Sequence, residues 1–414
     1  MLDNFENMLS EYARLVVKVG VNLQQDQRLV ISSPIECADF ARLIAKEAFA
    51  AGAWDVSYNW SDEKAAKIRY EMGRKEIFEE FPQWLQDKYM YNSDKGSAFV
   101  SIHASDPEIF KNVDPEKLLT AQRASGNALA EYRRRMMNNE NCWCVVSIPT
   151  LSWAKKVFAL YKDEVAVRKL WEAIFATVRI DGENDPVEAW QKHTDFLQKA
   201  ADFLNAQNFV SLKYKNELGT DFSIGLPEGH IWAGGAEWSA YGTRFVANMP
   251  TEEVFTLPDM NSANGVVCAS KPLVYHGQLI ENMKLTFENG KVIKAEATAG
   301  QEALDSLLAT DEGAVRLGEV ALVPYDSPIS NTGILFYNTL FDENAACHLA
   351  FGKAYPTCIQ GGDKMDKLEL AQHGVNDSLV HEDFMIGTAD LSIVGVKADG
   401  TEVPVFVNGN FVEF

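Results

Sequence analysis

At 414 residues the chain exceeds what one hydrophobic core usually supports, so about two to three domains are expected. A hydrophobic fraction of 47% with 11% aromatic residues is ample for packed cores and excludes wholesale disorder. The formal net charge of −21 argues against nucleic acid or an anionic membrane surface as the main partner, since both demand clustered Lys and Arg.

The opening segment, Met1-Leu2-Asp3-Asn4-Phe5-Glu6-Asn7, is acidic and polar and lacks the basic start and apolar run of a signal peptide. No apolar run is long enough for a transmembrane helix, so the cytoplasm is the expected compartment. Phe5, Met8, Leu9, Tyr12, Leu15, Val16 and Val19 recur at helical spacing, with Gly20 as the stop. Leu29-Val30-Ile31 predicts a short strand, Cys37 to Ala51 an amphipathic helix ended by Gly52, and Trp54 to Trp60 a second strand. Ala98 to Ile102 and Cys142 to Ile148 predict two more strands, with one helix from Pro115 to about Met137 between them. Strands separated by helices imply a mainly parallel sheet covered on both faces. The first half therefore reads as α/β.

From Val157 to Gln207 the pattern turns helical, and Asp185-Pro186-Val187-Glu188 is a strong helix start. Beyond about Phe209 short β-rich runs follow one another: Val210 to Tyr214, Asp221 to Gly225, Leu285 to Phe287, Val292 to Ala297. Asn289-Gly290 and Asp399-Gly400 sit between alternating apolar runs, a strong hairpin signal. The expected division is residues 1–205, an α/β domain, and residues 206–414, a β-rich α+β domain. Six cysteines show no C-x-x-C spacing, and Cys142 and Cys144 would share one strand face. They read as buried thiols in a reducing compartment.

The chemistry concentrates between Gly318 and Gly387, with Glu253 upstream. His381 and Asp383 are two apart, so on an extended strand both leave the same face. An imidazole and a carboxylate together are ligands for a first-row divalent metal; a hydrogen-bonded structural pair is the plain alternative. Val254 and Phe255 suggest a strand that turns one of Glu252 and Glu253 inward and the other outward. Glu319 lies in the otherwise apolar run Val315 to Val323, broken only by Arg316. Each glutamate alone would read as a solvated side chain. Together with His348, His381 and Asp383 they make about what a two-metal site needs. His103, His193, His230, His276 and His373 lack such neighbours and read as structural. The H-E-x-x-H signature is absent, so no helix-borne single-zinc protease is indicated.

Four stretches carry a resemblance: Asn248 to Thr256, Leu317-Gly318-Glu319, Asn338 to His348, and His381-Glu382-Asp383-Phe384-Met385-Ile386-Gly387. With Trp153 to Phe158 they resemble the thermophilic aminopeptidases, the family of aminopeptidase T, aminopeptidase S and PepS, over nearly the whole chain. The PepS and aminopeptidase S branch is the nearest in pattern. The resemblance implies metal ligands at Glu253, Glu319, His348, His381 and Asp383, and a catalytic role for Tyr355. It also implies two divalent ions such as zinc or cobalt, a cytosolic homodimer, and peptide substrates with a free N-terminus attacked by a metal-activated water. Glu319 or Glu252 is then the candidate proton carrier, and Tyr355 either donates to the oxyanion or merely braces a ligand. Exopeptidase action further requires a group that binds the free α-amine. Two other readings fit the same residues: a dinuclear hydrolase of phosphoesters or cyclic amides, and a non-catalytic, metal-stabilised peptide-binding protein.

Overall fold

The structure is a computed structural model that describes residues 4–275 and 278–414; Met1 to Asp3 of the opening segment and His276 lie outside it. Two compact units are present, one formed by the chain up to Lys192 with Ala236–Pro250, the other by His193–Gly235 with Thr251–Phe414. Among the described residues no helix is long and apolar enough to cross a membrane.

The first unit is built on a five-stranded sheet. Its strands are β1 (Arg28–Pro34), β2 (Asp55–Ser61), β3 (Ala98–Ile102), β4 (Trp143–Val146) and β5 (Asn248–Met249). Their order is β5-β4-β3-β1-β2, and every pairing is parallel. Leu29, Val30 and Ile31 are consecutive and all fully buried, so β1 is covered on both faces, as a parallel strand requires. The helix Phe5–Leu15 supplies Tyr12, whose ring lies 5.0 Å from that of Phe40 on the helix Ala38–Ala50. One expected helix is divided: Pro115–Ala128 and Ala130–Met137 meet at Leu129, just after Ser125-Gly126-Asn127. Those three residues are weak helix formers, and the buried Leu129 leaves the helical path. The helix Pro186–Gln207 begins where its start signal stood, with Asp185 Oδ1 accepting from the Val187 N–H.

The second unit is antiparallel. An eight-stranded sheet runs Lys291–Glu296, Lys284–Glu288, Asn264–Cys268, Asp221–Gly225, Ser211–Lys215, Ser392–Val396, Glu402–Val407, Asn410–Phe411. Asn289-Gly290 closes its first hairpin, both residues at positive φ (49° and 82°) as a two-residue turn demands. A second sheet holds Ala233–Gly234, β6 (Val254–Thr256), β7 (Leu317–Leu322), β8 (His348–Gly352) and β9 (His381–Met385). Its order is β9-β8-β7-β6 followed by Ala233–Gly234. Val254, Val320, Leu322, Leu349, Phe351 and Phe384 join one large core with the eight-stranded sheet. Each such burial contributes about 1.5–3 kcal/mol, so this core fixes the registers of β6 to β9.

The β7–β8 ladder carries a bulge, with Leu317 opposite Phe351 and Glu319 opposite the next residue, Ala350. Gly318 is the extra residue. A Cβ on it would meet the Gly352 carbonyl oxygen at 2.3 Å and the Lys353 carbonyl carbon at 2.5 Å, backbone atoms that cannot swing aside. Such a bulge re-aims the next side chain, here Glu319. Gly318→Ala is expected to destabilise the metal-free fold by about 1–3 kcal/mol. Denaturant melts in the presence of a chelator would check it, and an unchanged midpoint would show that the strands part without cost.

Candidate metal centre

Partners in an antiparallel ladder share a sheet face, so the registers settle which side chains meet. His348 stands opposite Met385, Ala350 opposite Asp383 and Gly352 opposite His381. On β7, Ala321 faces His348 and Glu319 faces Ala350, while Phe255 on β6 faces Ala321. Alternation puts Glu253, just before β6, on the side of Phe255. The intervening residues Val254, Val320, Leu349 and Phe384 point the other way into the core. One face of the sheet is thus apolar packing. The other gathers Glu253, Glu319, His348, His381 and Asp383 over a floor of Ala321 and Ala350, whose methyls leave room for the long chains.

The distances define two groups. Ligand atoms of Glu253, Glu319 and His348 lie within 4.8 Å of one another, as do those of Glu319, His381 and Asp383. Glu319 belongs to both, with Oε1 3.6 Å from His348 Nε2 and Oε2 3.4 Å from His381 Nε2. His348 Nε2 is 3.2 Å from Glu253 Oε2, and His381 Nε2 is 3.7 Å from Asp383 Oδ1. Donors held ~2.1 Å from a tetrahedral cation stand roughly 3.4 Å apart, whereas charge-assisted hydrogen bonds close to about 2.7–2.9 Å. The spacing fits cations. Each imidazole is oriented through its other nitrogen, His348 Nδ1 on the Ala346 carbonyl at 3.1 Å and His381 Nδ1 on the Lys353 carbonyl at 2.7 Å. Both Nε2 atoms therefore face the carboxylates. Asp383 Oδ1 is buried with no hydrogen-bond partner, an acceptor waiting for a positive charge.

Charge balance says the same. Burial would raise Glu319, but the imidazoles of His348 and His381 outweigh it and hold that carboxyl at about 2. Glu253 and Asp383 are raised, chiefly by burial. Burial would lower His381, yet the charges of Asp383 and Glu319 lift it to about 10. His348 lies well above its ordinary value, where Glu253 and Glu319 overcome the effect of burial. The acids and imidazoles of the cluster thus favour positive charge among the carboxylates.

Tyr355 stands edge-on to His381, ring centroids 5.0 Å apart, and edge-on to Phe255 at 5.9 Å. Burial and then the charges of Glu319 and Asp383 push its phenol well above the ordinary value, so it remains a hydrogen-bond donor. Glu252 turns away from its neighbour: its Oε2 lies 3.5 Å from His193 Nε2, which is also 2.8 Å from the Thr251 carbonyl. The carboxylate beside His193 comes from a residue distant in sequence, which spacing alone could not reveal. Glu382 faces opposite Phe351, off the cluster face, where burial lifts its carboxyl to about 8. Cys347 is also turned away, its thiol donating to the Val323 carbonyl at 3.3 Å and pushed up to about 12 by burial.

Sequence reasoning passed over Glu343. It sits in the short helical turn Glu343–Ala345, half-buried, hydrogen-bonded to Asp383 and held well above the ordinary carboxyl range by burial and then by Asp383 and Glu253. A turn of that length carries no periodicity, and only its place in the stretch leading to His348 could have marked it.

The sequence profile of the thermophilic metalloprotease (M29) family matches residues 5–411, and the chain belongs to that family. Aminopeptidase 2 of Geobacillus stearothermophilus is 48% identical over 410 residues, covering 99% of this chain and 99% of that one. Aminopeptidase AmpS of Bacillus subtilis is 46% identical, with 99% of this chain and all of the relative (100%) covered. Wild-type AmpT from Thermus thermophilus superposes with a TM-score of 0.92 at 40% identity, over 99% of this chain and 100% of that one. A 2,5-dihydroxypyridine dioxygenase from Pseudomonas putida, 12% identical with a TM-score of 0.55, shares the fold alone.

The acids around them hold His381 and His348 above the ordinary imidazole range, so a cation bound through both would compete with protons. Zinc added to the metal-free protein at pH 7 is expected to release protons, and its affinity to rise as pH climbs toward 10. Calorimetry in buffers of different ionisation enthalpy reads this. Proton-independent binding would remove both imidazoles from the ligand set. For the metal-free fold the sign is opposite: stability from His381 is complete below pH 6.5 and is lost as pH rises through about 10.

Proposed function

We propose that this chain is an aminopeptidase that removes N-terminal residues from peptides at a centre of two divalent cations. The observation that carries the reading is Glu319, which offers one oxygen to each of two ligand groups. The M29 membership and the aminopeptidase relatives support it. Glu253, Glu319 and His348 would hold one cation, and Glu319, His381 and Asp383 would hold the other. All lie in the span 206–414, which we take as the catalytic domain.

Two cations held there supply Lewis acidity, polarising a peptide carbonyl and lowering the pKa of a water. The chain's own residues do the rest. The Tyr355 phenol, kept protonated, donates to the oxyanion of the tetrahedral intermediate. Glu343 is within hydrogen-bond reach of Asp383, and its place outside both ligand groups suits it to carry the proton from the attacking water to the leaving amine. Glu252, drawn to His193, is not assigned that task. The abundance of carboxylates suits the site to a substrate's free α-ammonium group, which matches an exopeptidase. Zinc or cobalt suits this oxygen and nitrogen donor set, and a cytosolic homodimer remains the expected state.

Metal analysis followed by a panel of aminoacyl reporters, N-blocked peptides and phosphoesters tests the reading. Turnover of the free-amine reporters alone is the expected result; equal cleavage of blocked peptides or phosphoesters would overturn it. His348→Ala and Asp383→Ala are expected to lose metal and activity together, with Asp383→Ala down at least a hundredfold in kcat/KM. Tyr355→Phe is expected to keep its metal while kcat falls roughly ten- to a thousandfold, the range seen for removal of one oxyanion donor. Unchanged kcat would reduce Tyr355 to packing.

A further inference from the structure

Two segments beside the candidate centre, Thr251 to Glu253 and the short helical turns of Leu340 to Ala345, are joined by one side chain. Asn344 is completely buried (0% exposed). Its Oδ1 accepts from the backbone N–H of Glu252 at 2.8 Å. Its Nδ2 donates to the Leu340 carbonyl at 3.1 Å and to Glu343 Oε1 at 3.3 Å. The partners fix the amide's orientation. A backbone N–H needs an acceptor and a backbone carbonyl needs a donor, so a flipped amide would satisfy neither. One end of the amide therefore holds the Thr251–Glu252 peptide unit, one residue ahead of Glu253, and the other holds the carboxyl of Glu343. No other residue type of this size offers both a fixed acceptor and a fixed donor at these two points.

We propose that Asn344 is a positioning residue: a single buried amide that sets Glu253 and Glu343 relative to one another, and so couples the ligand group to the proton-carrying carboxyl. This rests on the two-cation reading above. The two arms of the amide separate by substitution. Asn344→Asp keeps the shape and the acceptor for Glu252 but removes the donor and sets a second carboxyl against Glu343. Asn344→Ala removes both arms.

Five proteins test it: native, Asn344→Asp, Asn344→Ala, Glu343→Gln and the double variant Asn344→Asp with Glu343→Gln. Zinc affinity is read by calorimetry on the metal-free proteins, folding by thermal melts, and kcat and KM on an aminoacyl reporter. In Asn344→Asp, zinc affinity is expected to stay within about threefold of native while kcat falls at least tenfold at unchanged KM. In Asn344→Ala, zinc affinity is expected to fall about 10- to 100-fold as well. Adding Asn344→Asp to Glu343→Gln is expected to change kcat by no more than about twofold, because the effect passes through Glu343. A folded Asn344→Asp with native kcat overturns the proposal. So does a pair of variants that lose melting temperature alone, or a double variant whose losses multiply. Where Asn344→Ala does not fold, the near-isosteric Asn344→Asp and its double variant decide. Native protein inactive on every reporter would defeat the functional reading instead, and zinc affinity in Asn344→Ala against native would then judge Asn344 by itself.

Discussion

Three carboxylates of the candidate centre, and a fourth on Glu343, share one buried space, and like charges so close cannot all ionise without cations or protons among them. Burial and mutual repulsion lift Glu253, Asp383 and Glu343, while His348 and His381 are lifted in turn by the acids around them. This arrangement is costly as a structural device, because well-packed apolar side chains would stabilise the same space better. It becomes sensible when positive charge is delivered from outside. The rest of the second unit serves that constraint by holding the acids together against their repulsion.

The means is the alternation of strands β6 to β9. Residues that face the core anchor each register, and a slip of one residue would bury the acids among Leu349, Phe351 and Phe384. Between the acids stand Ala321 and Ala350, whose small side chains leave room for the longer ones. The Gly318 bulge then turns Glu319 so that its two oxygens address different imidazoles. Packing on one face thereby fixes chemistry on the other.

Much of this was legible in the sequence where a local rule reaches across few residues. Alternation placed His381 and Asp383 on one face and sent Glu252 and Glu253 opposite ways. The Asn289-Gly290 turn announced its hairpin, and the helix-strand texture of the first half announced a parallel sheet. Long-range facts were not legible. The partnership of Glu252 with His193 joins residues far apart in sequence, and Asn344 looks unremarkable until its two neighbours are in place. Glu343 lies in a turn too short for periodicity. The helix Glu63–Met72 buries none of its side chains, so it left no apolar stripe to read. The break at Leu129 went unseen because composition weakened a helix that the spacing continued.

Cys347 lies one residue before His348, yet its sulfur is turned to Val323 and stays a thiol. The five candidate ligands offer oxygen and nitrogen alone, and the one sulfur that shares their face by register is the Met385 thioether, opposite His348. Soft cations such as cuprous copper or cadmium gain no thiolate grip there, and oxidants find no sulfur among the ligands to consume. A single strand alternation thus keeps a thiolate out of the candidate ligand set, although sulfur sits next door along the backbone.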